Sequence, residues 1–221
     1  MKRALLLAGL LLSACHPKSS GPIDFSGLWM PDTKVVTPVG GTIPLLPAAA
    51  AVAKANATSA ERGDFGFDNW MKCSLHGMPR IMLTASPFRL LQTPAKLYTV
   101  HAVNHSYRVM PIVAKHGAGE PSYMGDAIAS IDGDRLHIET TKLVAGLIDR
   151  EGLPHSDALK LTEDYKLSSD GQTLSGTIRI EDPKTFSAPW SFAVSFHRLA
   201  PAELPENICV DLTDAQKKAL R

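Results

Sequence analysis

Ala158-Leu159-Lys160-Leu161-Thr162-Glu163-Asp164-Tyr165-Lys166-Leu167 alternates in character with a period of two, and that alternation decides the fold. Leu159, Leu161, Glu163, Tyr165 and Leu167 fall on one side of an extended chain, while Lys160, Thr162, Asp164 and Lys166 fall on the other. Two later stretches repeat the pattern. In 173–181, Leu174, Gly176, Ile178 and Ile180 oppose Thr173, Ser175, Thr177 and Arg179. In 189–199, Trp190, Phe192, Val194, Phe196 and Arg198 oppose Ser191, Ala193, Ser195 and His197. Each stretch is a strand with one apolar and one wet face, as antiparallel sheets require.

Upstream, further strands are expected at 80–84, 88–93, 96–103, 106–113, 126–132 and 135–142. Thr93-Pro94-Ala95, Asn104-His105, Asp132-Gly133-Asp134 and Ser169-Asp170-Gly171 are short turn sequences, and neighbours joined so tightly must be antiparallel. The fold class that follows is all-β with one helical insert, an antiparallel up-and-down meander. A meander of eight to ten strands hides its edges by closing into a barrel or half-barrel, or by stacking as a sandwich, and the loaded inner faces favour the barrel. The insert is 44–62: Pro47 suits a first turn, Ala48–Ala53 are good helix formers and Gly63 can end it. Its weak apolar periodicity places the helix over the domain, outside its core.

The chain opens with Lys2 and Arg3, then an apolar run ending in Leu12-Ser13-Ala14-Cys15. A basic start, an apolar core too short to span a bilayer and small residues at the processing point describe an export signal. Its end resembles the bacterial lipobox, in which the cysteine is acylated and becomes the new N-terminus. Residues 1–14 are then a lipoprotein signal peptide, Cys15 the lipidation site, 15–23 a flexible leash, 24–212 the single domain and 213–221 a tail. His16 stands where an Asp would signal inner-membrane retention, so the expected address is the cell envelope, on the outer membrane facing the periplasm. Loss of Lys2 and Arg3 takes the formal charge from +1 to −1. With no basic run left, nucleic acid is excluded as a partner. The lipid is the expected membrane contact.

With Cys15 occupied, Cys73 and Cys209 remain in an oxidising compartment, and a disulfide between them is expected. It would be worth ~5 kcal/mol in the chain-entropy model. Two free thiols are the alternative, while zinc is disfavoured by the lack of a Cys-x-x-Cys or Cys-x-x-His pattern.

Gly27-Leu28-Trp29 on the first strand and Arg198 at the end of the last resemble the lipocalin (calycin) signature. That resemblance implies a lipocalin-like barrel in which Trp29 and Arg198 are structural, the arginine covering the tryptophan at one end in a cation–π pair. The chain departs from it in its helical insert and in an imperfect middle motif, Thr162-Glu163-Asp164-Tyr165. Nearly the whole mature chain also resembles a widespread set of exported bacterial proteins of unassigned function. The matching residues are Ser26-Gly27-Leu28-Trp29, Cys73 through Arg80 as Cys-x-x-x-Gly-x-Pro-Arg, Pro87-Phe88 with Gln92-Thr93, and Pro121-Ser122-Tyr123-Met124-Gly125. They continue through Gly133–Leu136, His155–Leu159 with Glu163, Ile180–Pro183, Pro189-Trp190 and Cys209. This likeness supports the fold and the cysteine pair and implies no reaction.

Chemistry is sought first at Glu163, a carboxylate on the apolar face of its strand. Burial raises the pKa of such a group unless it is paired, and an ion pair with Arg80 or Arg108 is the structural alternative. His155, in the loop before that strand, would complete an acid/base pair with it. A metal site from His101, His105 and His155 is a weaker option, because strand spacing does not bring i, i+4 imidazoles together. Gly-rich phosphate loops, dinucleotide fingerprints and nucleophile elbows are absent, so no cofactor is expected. The leading reading is a small-molecule binding protein with Arg80, Gln92, Arg108, Glu163 and Met124 converging inside the barrel. The alternative is a cofactor-free lyase, isomerase or hydrolase using Glu163 and His155, and a third reading is an interaction with an envelope protein partner.

Overall fold

Alternation becomes register wherever tight turns join the strands. In the computed structural model, which describes residues 23–33, 35–205 and 209, nine strands form one sheet. They are β1 (Gly27–Pro31), β2 (Phe88–Gln92), β3 (Lys96–His101), β4 (Tyr107–Pro111), β5 (Asp126–Asp132), β6 (Arg135–Thr141), β9 (Lys160–Leu167), β10 (Thr173–Glu181) and β11 (Trp190–Leu199). A two-stranded excursion, β7 (Gly146–Leu147) and β8 (Pro154–His155), interrupts the meander after β6. The helix α1 covers Pro47–Glu61, within the expected 44–62, with Pro47 in its first turn and no residue buried. The export signal, Cys15, most of the leash and the tail lie outside the described residues.

The sheet order is β4-β3-β2-β1-β11-β10-β9-β6-β5, so chain neighbours are sheet neighbours all the way round. β1 runs antiparallel to both β2 and β11. Nine strands laid in alternation leave one pair of neighbours pointing the same way. That pair is β4 and β5, which meet at the parallel bridge Ile112↔Ala129. Residues 112–125 carry the chain back along the barrel, the long return that a parallel neighbour needs. The sheet is thus a nearly closed, up-and-down antiparallel barrel with one thin seam.

Its two ends differ. At one, the turns 93–95, 133–134 and 168–172 are tight, and the end is plugged by Trp29, which is fully buried. The Arg198 guanidinium sits 4.3 Å from the Trp29 ring, and the register places the two residues opposite each other. Arg198 also donates to the carbonyls of Gly171 (2.6 Å) and Ser26. Gly27 permits this, since a Cβ there would fall on Arg198 Nη1. The opposite end carries the long connections from β1 to β2, β6 to β9 and β10 to β11, and it forms the mouth. There Pro44 and Leu46 hydrogen-bond to Ser187 and Thr185, and α1 reaches across through Asn56 to the Gly152 carbonyl (2.8 Å).

The expected strand at 80–84 is a correction: Arg80–Leu83 is a 3-10 turn, and a second one lies at Asn69–Lys72. Ile81, Met82 and Leu83 are all buried, so this apolar run caps the core at the mouth instead of alternating across a sheet. Cys73 and Cys209 form a disulfide with a Cα–Cα distance of 5.3 Å. The Cys209 amide donates to Asn104 Oδ1 in the β3–β4 turn, so the bridge ties the C-terminal segment to the mouth.

Candidate functional site at the barrel mouth

The barrel interior is filled. Phe88, Leu90, Leu97, Met110, Leu136, Ile138, Leu161, Ile178, Phe192 and Phe196 join one buried cluster. Phe196 meets Phe88 edge-on at 5.4 Å and Tyr165 at 5.8 Å, bridging strands that are not neighbours. Through this core runs a polar strut. Arg108 on β4 bonds Glu163 Oε1 on β9 at 2.7 Å and Thr140 on β6, while the Tyr165 hydroxyl donates to Glu163 Oε2 at 2.8 Å. Glu163 has no exposed surface, and Arg108 has 3 %. A buried carboxylate is tolerable only when paired and hydrogen-bonded, and here both oxygens are. Burial first, then the Glu163 charge, pushes the Tyr165 phenol well above its ordinary value, which keeps it a donor.

Beneath the mouth, His101 stacks on Phe88 at 5.2 Å and shares a 3.2 Å hydrogen bond with Thr99. Burial, then the charges of Arg108 and His76, brings its pKa down to about 3. The unfolded chain therefore takes up a proton near pH 6.5 that the folded chain refuses, so stability falls as pH drops through that region. Between pH 7 and pH 5 this one residue removes about 2 kcal/mol. Urea unfolding of His101→Gln should show a loss smaller by about that amount; equal losses in both proteins would refute the assignment.

The open chemistry lies at the mouth. A cleft of about 500 Å³ is lined by Phe65, Asp68, Trp70, His76, Arg80, Leu83, Ala85 and Arg150 among others. Arg80, buried, holds both carboxylate oxygens of Asp68, and Asp68 Oδ1 also accepts from the Trp70 amide at 2.9 Å. This pair fixes the loop 65–72 onto the 3-10 turn 80–83. Trp70 stacks on His76 with ring centroids 4.2 Å apart and planes 30° from parallel. Burial, then the Arg80 charge, lowers the His76 pKa to about 4 against the opposing pull of Asp68, so the ring is neutral at pH 7. Its Nδ1 is buried without a hydrogen-bond partner. The same wall of Asp68, Trp70, His76 and Arg80 backs onto a second recess of about 350 Å³ under α1 and beside His155.

The structure does not bring the residues named from the sequence to one place. Glu163 is sealed in the strut, whereas His155 lies in the recess at the mouth and donates from Nδ1 to the Ser156 carbonyl at 3.0 Å. No hydrogen bond links the two. Burial, partly offset by the Ser156 carbonyl, lowers the His155 pKa. Arg80 reaches the cleft, Arg108 belongs to the strut, and Met124 lines a separate depression along the seam. Gln92 is at the plugged end, where it accepts from the Phe25 amide and donates to the Ile23 carbonyl, both at 3.0 Å. Trp29 and Arg198 lie opposite each other at the plugged end, the guanidinium over the ring. Among the described residues no cluster of three His, Cys, Asp or Glu could hold a metal, so His101, His105 and His155 do not form one.

Comparison with protein-family models, curated proteins and solved structures finds no match. The functional reading therefore stands on the mouth cleft itself. Its residues Asp68, Trp70, His76 and Arg150 escaped the sequence reading. The available signal was three aromatic residues, Phe65, Phe67 and Trp70, in a segment with no strand or helix period.

Proposed function

We propose that this chain is a lipid-tethered protein of the bacterial envelope, held at the outer membrane facing the periplasm, that binds a small, partly apolar molecule. The observation that carries the binding reading is the cleft at the mouth. It is concave, mostly apolar, and furnished with a few fixed polar groups, which is the composition of small-molecule sites. The filled interior moves the ligand from inside the barrel to its rim. The lipobox-like Leu12-Ser13-Ala14-Cys15 and His16 support the address. The reading requires no cofactor. The acid/base alternative draws no support from a Glu163 that is sealed and held by Arg108 and the Tyr165 hydroxyl.

Native mass spectrometry of the protein purified from its source tests the binding reading. Wild type should carry an added small-molecule mass that Ala85→Trp, which fills the cleft from an exposed position, reduces or removes. A wild-type protein with no adduct, or an adduct untouched by Ala85→Trp, counts against the cleft. Mass analysis of the N-terminal peptide tests the tether: acylation should appear in wild type and vanish in Cys15→Ala.

A further inference from the structure

The charges lining the cleft do not cancel. Arg80, Arg150 and Asp68 are its ionised side chains, and Asp68 gives both its oxygens to Arg80. Arg150 is the cation left over. It is exposed, its guanidinium lies 5.9 Å from the Phe65 ring centroid, and among the described residues it makes no ion pair. An unpaired cation at the rim of an apolar cleft favours a negatively charged ligand.

Two further features narrow the class. A guanidinium presents parallel N–H donors whose spacing matches a carboxylate. The apolar side is ring-rich: Trp70 and the neutral His76 imidazole pack face to face, and Phe65 lines the same cleft. Flat rings bind flat rings by offset or edge contacts more specifically than they bind flexible chains.

We propose that the mouth cleft takes an aromatic monocarboxylate, its ring among Trp70 and Phe65 and its carboxylate on the Arg150 guanidinium. The inference rests on the reading of the cleft as the ligand site and adds the charge and shape of the ligand. Arg80, locked to Asp68, positions the wall and does not meet the carboxylate.

Isothermal titration at pH 7.5 with three probes of one shape tests it: 2-naphthoate, 2-naphthalenemethanol and 2-naphthylmethylammonium. Wild type should bind the carboxylate at least tenfold tighter than the alcohol and the ammonium weakest. Arg150→Gln should erase the carboxylate's advantage over the alcohol, with the thermal midpoint as a check that this surface change leaves the fold intact. Equal binding of carboxylate and alcohol, or a preference for the ammonium, overturns the proposal and leaves the cleft reading standing. So does failure of all three probes in a protein that still purifies with an adduct sensitive to Ala85→Trp. Failure of the probes together with absence of any adduct overturns both.

Discussion

Arg108→Met is expected to lower the stability of this protein by about 3–5 kcal/mol, the cost of leaving a buried carboxylate without its counter-charge. Glu163 is fully buried, and in the variant only the Tyr165 hydroxyl would remain to it. The location makes the effect larger than a local one. β4 and β5 meet along the barrel's one parallel junction, at the bridge Ile112↔Ala129, where the other neighbouring strands are joined by full antiparallel ladders. Arg108 reaches past β5 to Thr140 on β6 and Glu163 on β9, so the ion pair closes from inside what the backbone leaves thin outside. Urea unfolding should give the loss. Hydrogen exchange should show the added opening in β4 and β5 before β9–β11. Arg108→Met with Glu163→Leu should recover most of the stability, because apolar replacement of a whole buried pair is often neutral or better. A single variant with an unchanged urea midpoint would show that the strut holds nothing.

How much of this was legible differs from residue to residue. Glu163 sits on the inner face because the period of two requires it, and the alternation alone gives that position. Its partner required more. Arg108 and Arg80 are both arginines that a barrel would draw inward, and only the closure of β4 toward β5 sends Arg108 to Glu163 and leaves Arg80 at the mouth with Asp68. Closure is set by the register of strands far apart in the chain, and no local pattern encodes it. Gln92 misleads for a related reason: its inner-face parity is right, but parity does not say which end of a barrel a residue reaches. The run Arg80–Leu83 misleads because four residues, three of them apolar, look alike as a buried strand and as a buried turn. The mouth was the least legible part. Asp68, Trp70, His76 and Arg150 come from irregular segments whose positions are fixed by one another, through the Arg80–Asp68 pair and the Cys73–Cys209 bridge.

At the plugged end the largest single-residue loss is expected from Trp29→Ala, about 3–5 kcal/mol, the range for truncating a large buried aromatic. Three terms add there. The ring is fully buried, its Nε1–H donates to the Phe25 carbonyl at 3.2 Å, and its face receives Arg198. Trp29→Phe keeps most of the apolar area and should cost roughly half as much or less, through the lost hydrogen bond and a smaller ring face. Arg198→Lys should cost about 1–2 kcal/mol, since an ammonium cannot both lie flat on the indole and serve the Gly171 and Ser26 carbonyls. Gly27→Val should resemble Arg198→Lys, because its side chain would occupy the space of the guanidinium and push it off the ring. Thermal or urea unfolding of the four variants gives the ranking. A double cycle between Trp29→Phe and Arg198→Lys should return a coupling of about 0.5–1 kcal/mol or more. Additive losses would mean that the arginine serves the carbonyls alone and that the stacked geometry contributes no energy of its own.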